Sequence, residues 1–89
     1  MKISLIIPCH NEQEAAPVFL ETVVPIMDAT DLDYEMLFVD DGSRDATVAV
    51  LLAHAERNPQ IRVIELSRNF GKEAAMTAGF TYATGDAII

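Results

Sequence analysis

A three-layer α/β/α domain on a parallel, Rossmann-like sheet is the fold this sequence predicts, and three observations predict it. Ile3–Pro8, Tyr34–Val39 and Ile61–Leu66 are apolar or β-favouring runs of strand length. Each is followed by a stretch whose apolar residues recur at helical spacing or which is rich in small helix formers. No hairpin joins one strand-like run directly to the next, and Asp86–Ile89 opens a fourth strand after the third helix. Alternation of this kind gives parallel pairing through right-handed crossovers.

Ile3–Pro8 is nearly continuous in apolar residues, the pattern of a strand covered on both faces. Asn11 and Glu14 then stand at the spacing of a capping box. Pro17, however, would fall beyond the first turn of a helix begun at Glu12. The regular helix is therefore expected from about Ala16, with residues 9–15 as a shaped loop. Val18, Phe19, Val23, Ile26 and Met27 give that helix its apolar face, and Pro25 should kink it. Residues 28–33 read as an acidic, solvated turn. After the second strand, Ser43 is expected to cap a second helix, with Asp45 at its positive end and Val48, Leu51, Leu52 and Ala55 facing inward. Asn58-Pro59 stops it. Ile61–Leu66 alternates more than the other strands, which places it nearer an edge. Ala74, Ala75, Ala78 and Gly79 within Glu73–Ala83 point to a helix packed closely on the sheet, with Gly85 at its C′ position.

At 89 residues the chain makes one small domain, burying about two-thirds of its unfolded surface. With 51% apolar and 22% charged residues it is too core-rich for a disordered segment. No apolar run approaches the roughly 20 residues of a membrane helix, and Met1-Lys2-Ile3 leads straight into a strand without a signal peptide, as in a cytosolic protein. A lone cysteine, Cys9, excludes an internal disulfide and a cysteine-rich zinc site. The net charge of −8 is lopsided: nine acids against Lys2 alone in residues 1–43, five bases balancing five acids in residues 44–89. An acidic chain without a basic stripe is not a nucleic-acid binder, although the basic loop from Arg68 to Lys72 can serve one small phosphate group.

In a parallel sheet the loops Cys9–Glu12, Asp40–Ser43 and Ser67–Lys72 emerge on one rim, at the carboxyl ends of the strands where α/β proteins bind ligands. Asp40 and Asp41 repel each other unless donors, solvent or a cation compensate. Carboxylates and amides can read a base edge or ribose hydroxyls. A lysine beside a helix N-terminus, with glycine permitting close approach, suits a phosphate. The sum is a nucleotide pocket. There is no Gly-x-Gly-x-x-Gly, no P-loop and no nucleophile elbow, so dehydrogenase, P-loop and hydrolase readings lack their key residues.

Ile6-Ile7-Pro8 with Asn11-Glu12, then Val39-Asp40-Asp41-Gly42-Ser43, then Arg68-Asn69-Phe70-Gly71-Lys72, then Thr84-Gly85-Asp86 resemble, in order and spacing, the start of a family 2 glycosyltransferase. Within that family the chain is most similar to polyprenyl-phosphate glycosyltransferases, the bactoprenol glucosyltransferase and dolichol-phosphate mannose synthase group. The resemblance implies the nucleotide-binding half of a glycosyltransferase-A fold, 1–89 being the N-terminal part of the transferase domain. It implies that Pro8, His10, Asn11 and Glu12 lie beside base and ribose and that Asp40 accepts a hydrogen bond from uracil or guanine. Asp41, Gly42 and Ser43 would shape that turn, and Asn69, Gly71 and Lys72 would approach base and phosphates. A divalent cation, Mg or Mn, is implied as well, its Asp-x-Asp motif expected just beyond Ile89. The implied partners are a nucleotide-diphosphate sugar such as UDP-glucose and a polyprenyl phosphate lipid at the cytoplasmic face of the membrane. Self-association is left open.

Two other classes remain. A receiver-like phosphoacceptor domain also has an early acidic pair, but Ser67-Arg68-Asn69 stands where it needs a third Asp. A non-catalytic nucleotide-binding or interaction module would need only the rim.

Overall fold

The computed structural model describes residues 1–67 and 71–89. Its elements are β1 (Lys2–Cys9), α1 (Ala15–Asp28), β2 (Asp33–Asp41), α2 (Thr47–Arg57), β3 (Ile61–Leu66), α3 (Lys72–Tyr82) and β4 (Ala87–Ile88). The four strands pair in the order β3-β2-β1-β4, every ladder parallel.

Strand periodicity decides the layers. Alternate residues of a strand point to opposite faces, and the register sets Ile3 beside Tyr34, Met36 beside Ile61 and Cys9 beside Asp40. Ile3, Tyr34, Met36, Phe38 and Ile61 accordingly form one core with Ala16 and Leu20 of α1 and Leu51 of α2. Phe19 meets Phe38 edge-on there, at 6.1 Å between centroids. On the other face, Ile6 and Val39 pack against Ala75 of α3. A side chain at Gly79 would run into Ile6, so the small-residue face of α3 does allow the close packing expected of it.

From β1 to β3 the chain steps one way with α1 and α2 on one face. It then returns to β4 with α3 on the other face, so all crossovers share one hand. The direction reverses beside β1, which makes the carboxyl end of β1 a topological switch point. β3 is an edge of this sheet, as its alternation suggested.

Three local expectations give way to other arrangements. Asn11 and Glu14 form no capping box: Glu14 is the N-cap of α1 without a side-chain bond, and Asn11 takes a left-handed conformation, φ 53°. Pro17 then falls in the first turn, where its missing N–H is not needed. Ser43 does not cap α2, which starts at Thr47; Asp45 is the neighbour that accepts from the Thr47 N–H, at 2.9 Å. Gly85 is not a C′ residue either, because α3 runs out through an extended Ala83. Gly85 is glycine because a Cβ there would lie 2.8 Å from the Ser4 nitrogen and 3.0 Å from the Lys2 carbonyl oxygen.

Beneath α3, Glu35 on β2 is 2% exposed. It accepts hydrogen bonds from the Ser4 hydroxyl of β1 (2.6 Å), Arg62 of β3 (2.7 Å) and the Thr84 N–H ahead of β4 (2.7 Å). Ser4 in turn accepts from the Gly85 N–H at 2.8 Å. Burial alone pushes the pKa of Glu35 up, but the donors from Ser4, Thr84 and Arg62 outweigh it and bring the carboxyl down from 4.5 to about 2. A carboxylate more acidic in the folded than in the unfolded chain stabilises the fold fully above about pH 4.5. That contribution, on the order of 3 kcal/mol, fades as the pH falls toward about 2. Glu35→Gln should remove this dependence: urea titrations of the variant and the wild type are expected to differ at pH 7 and to converge near pH 2. Parallel curves throughout would show that Glu35 is not the group responsible.

Candidate functional site

Cys9 and Asp40 are register partners, so β1 and β2 release their loops side by side. The first loop is then pinned to the second. The Asn11 N–H donates to Ser43 Oγ (2.8 Å), while Asn11 Oδ1 accepts from the Arg44 N–H (2.8 Å). The Glu12 N–H donates to Thr47 Oγ1 at 2.8 Å, and Gln13 Oε1 accepts from the Ala46 N–H at 2.9 Å. These bonds satisfy backbone N–H groups of both loops, Asn11 and Glu12 in the first and Arg44 and Ala46 ahead of α2. The β1–α1 segment is thus a fixed wall. Gln13, Arg44 and Thr47 were not singled out in the sequence; their contribution is tertiary and leaves no local pattern.

Adjacent residues at a strand end face opposite ways, and this separates the two aspartates. Asp40 is 1% exposed and points to the α1/α2 side, where its carboxylate accepts from the Ser43 N–H (3.0 Å) and the Ser43 hydroxyl. Asp41 is 5% exposed and points to the α3 side, where Oδ2 accepts from the Gly71 N–H at 2.9 Å. Gly71 has φ 97°, a backbone conformation that favours glycine, and it is the residue before α3. His10 completes the rim, its Nδ1 lying 2.8 Å from the Asp41 carbonyl oxygen.

A cavity of about 500 Å³ opens between these groups, lined by Pro8, His10, Glu12, Asp41, Gly71 and Lys72. His10 also lines a second rim cavity of about 500 Å³, against Asn11, Gly42, Ser43 and Ser67. Ten of the eleven residues expected at the site are therefore on this rim, although Asp40, buried on the α1/α2 side, lines neither cavity. The eleventh, Asn69, lies outside the described residues with Arg68 and Phe70. One cavity gathers two carboxylate residues, an imidazole and a lysine at the amino end of α3, where the helix dipole favours an anion.

Among the described residues no three His, Cys, Asp or Glu side chains gather as a metal site, and no helix is long and apolar enough to cross a membrane. Cys9 is buried under the rim. Burial, then the charges of Asp40 and Glu12, push its thiol up from 9.0 to about 12. Thiolate is the reactive form, so Cys9 is expected to react with iodoacetamide at about pH 8 at least a hundred-fold more slowly in the native than in the urea-unfolded protein. Equal rates would show the strand end to be open.

A doubly wound α/β domain with its cavities at the switch point is what the fold and rim define. Residues 4–89 match the model of the family described as glycosyl transferase family 2, and the chain belongs to that family. It is 46% identical over its full length to the prophage bactoprenol glucosyl transferase homolog of Escherichia coli K12. Over 99% of its length it is 43% identical to the undecaprenyl-phosphate 4-deoxy-4-formamido-L-arabinose transferase of Sodalis glossinidius. The chain spans 29% and 27% of those two proteins. Among solved structures it resembles the mannosyltransferase PcManGT of Pyrobaculum calidifontis in complex with GDP-Man and Mn2+. The TM-score is 0.76 at 27% identity, covering 97% of this chain and 25% of that one.

Proposed function

We propose that this chain holds the donor nucleotide of a glycosyltransferase that moves a hexose from a nucleotide-diphosphate sugar, UDP-glucose or similar, to a polyprenyl phosphate. The observation that carries it is the cavity lined by both Asp41 and Lys72 at the switch point, a carboxylate suited to a base N–H and a cation suited to a diphosphate. The named relatives act on bactoprenol or undecaprenyl phosphate, and the solved neighbour holds a nucleotide sugar, which supports the same chemistry here. In the transfer an oxygen of the lipid phosphate attacks the anomeric carbon, the bond from that carbon to the diphosphate oxygen breaks, and the nucleoside diphosphate leaves. The work of residues 1–89 is to bind and orient that leaving group.

Asp41, not Asp40, takes the part of the base-reading carboxylate in this proposal. Asp41 lines the cavity, whereas Asp40 is 1% exposed and points to the other face of the sheet. Lys72 stands for phosphate recognition, with the Gly71 turn allowing close backbone approach. A divalent cation, when bound, would offset the diphosphate charge as it departs. The cluster of ligands such an ion needs is not assembled among the described residues, so no step is assigned to it here.

Calorimetry with UDP, GDP and CDP on the full-length protein tests the proposal. Asp41→Asn should weaken the preferred nucleotide by about ten-fold or more, the cost of one mismatched buried hydrogen bond. An unchanged affinity would remove Asp41 from the base site. Lys72→Ala is expected to weaken UDP far more than uridine, with a loss that shrinks as salt is raised. Equal losses for UDP and uridine would reduce Lys72 to a structural role.

A further inference from the structure

The rim contains a circuit of hydrogen bonds, from the Asp40 carboxylate to the Asp41 carbonyl, whose donors and acceptors can be assigned one after another. Asp40 is a buried carboxylate, and both the N–H and the hydroxyl of Ser43 point at it. With its proton spent on Asp40, Ser43 Oγ is left as an acceptor, and the Asn11 N–H donates to it at 2.8 Å. The Arg44 N–H donates to Asn11 Oδ1 at 2.8 Å, which fixes which end of that amide is oxygen. Asn11 Nδ2, a donor only, therefore faces His10 Nε2 at 3.3 Å, and Nε2 must accept. Across the ring, His10 Nδ1 lies 2.8 Å from the Asp41 carbonyl oxygen, which can only accept, so Nδ1 must carry the hydrogen. The circuit ends at the backbone of the residue next to the one where it began.

We infer that Asp40 is a positioning residue: through Ser43 and Asn11 it holds His10 in the Nδ1–H tautomer in the wall shared by the two rim cavities. It acts on the donor site without touching the nucleotide, and in that respect the inference rests on the function proposed above. The exposed, left-handed Asn11 is the joint of the device, because its backbone and both ends of its side chain are each committed to a different neighbour. Three parts of the rim are joined by it: the end of β2, the turn before α2 and the loop after β1.

The test is the tautomer of His10, read from long-range ¹H–¹⁵N spectra of full-length protein labelled at histidine, with the His10 signals assigned by their loss in His10→Gln. At about pH 8, above the ordinary range of histidine, wild-type His10 is expected to show Nδ1 protonated and Nε2 bare. Ser43→Ala and Asp40→Asn should let the Nε2-protonated form appear and weaken UDP by about ten-fold, and Ser43→Thr, which keeps the hydroxyl, should restore both. A wild-type His10 protonated at Nε2, or a tautomer indifferent to Ser43→Ala, would overturn the inference. Should Ser43→Ala fail to fold, the wild-type spectrum decides alone. The tautomer tests the circuit and the UDP affinity of the wild type tests the donor site, so the two readings fail separately.

Discussion

One strand buries three carboxylates. From Tyr34 to Asp41 every residue of β2 is buried, and Glu35, Asp40 and Asp41 are among them. A buried carboxylate is tolerable only where donors surround it, and among the described residues no buried side-chain oxygen or nitrogen is left unpartnered. The donors do not come from β2 itself. Glu35 draws on β1, β3 and the approach to β4; Asp40 draws on the turn before α2; Asp41 draws on Gly71 ahead of α3. Satisfying three acids thus ties β2 to both flanking strands, to the approach to β4 and to the turns ahead of α2 and α3.

The three acids also divide between the two ends of a single strand. Glu35 lies toward the amino ends of the strands and works as a staple under α3, holding the entry to β4 against β1 and β3. Asp40 and Asp41 lie at the carboxyl ends, where the chain reverses direction and a ligand can enter. Their opposite orientation matters more than their adjacency. Asp40 organises the α1/α2 side of the rim, and Asp41 faces the cavity beside α3. The electrostatic cost of placing two acids side by side is met by turning them away from each other.

Much of this was legible beforehand, because the element order follows from hydrophobic period and strand–helix alternation. The rim and its residues were legible for the same reason: a parallel sheet brings successive loops to one end. The errors were local. Ser43, Asn11 and Gly85 are each a residue type that suits a helix cap, and the local pattern alone puts each at one. In the structure Ser43 answers to Asp40, Asn11 to Arg44 and His10, and Gly85 to the backbone of β1. Tertiary partners outcompeted the local motif in all three cases. Which face of the sheet each of Asp40 and Asp41 points to was not legible without knowing which face each helix covers. Glu35 left a signal that could have been used, a single acid inside the apolar run Tyr34–Val39, with Ser4 and Arg62 available on the flanking strands.

The central claim is that a nucleotide binds at the carboxyl rim of the sheet, on the α3 side of the two aspartates. Backbone amide shifts recorded while the full-length protein is titrated with UDP or GDP test it most directly. Perturbations are expected to concentrate at His10, Glu12, Asp41, Gly71 and Lys72, with little change at the far cavity of about 350 Å³ between Leu20, His54 and Ile61. Shifts centred on that far cavity, or none at the rim at saturating nucleotide, would contradict the account.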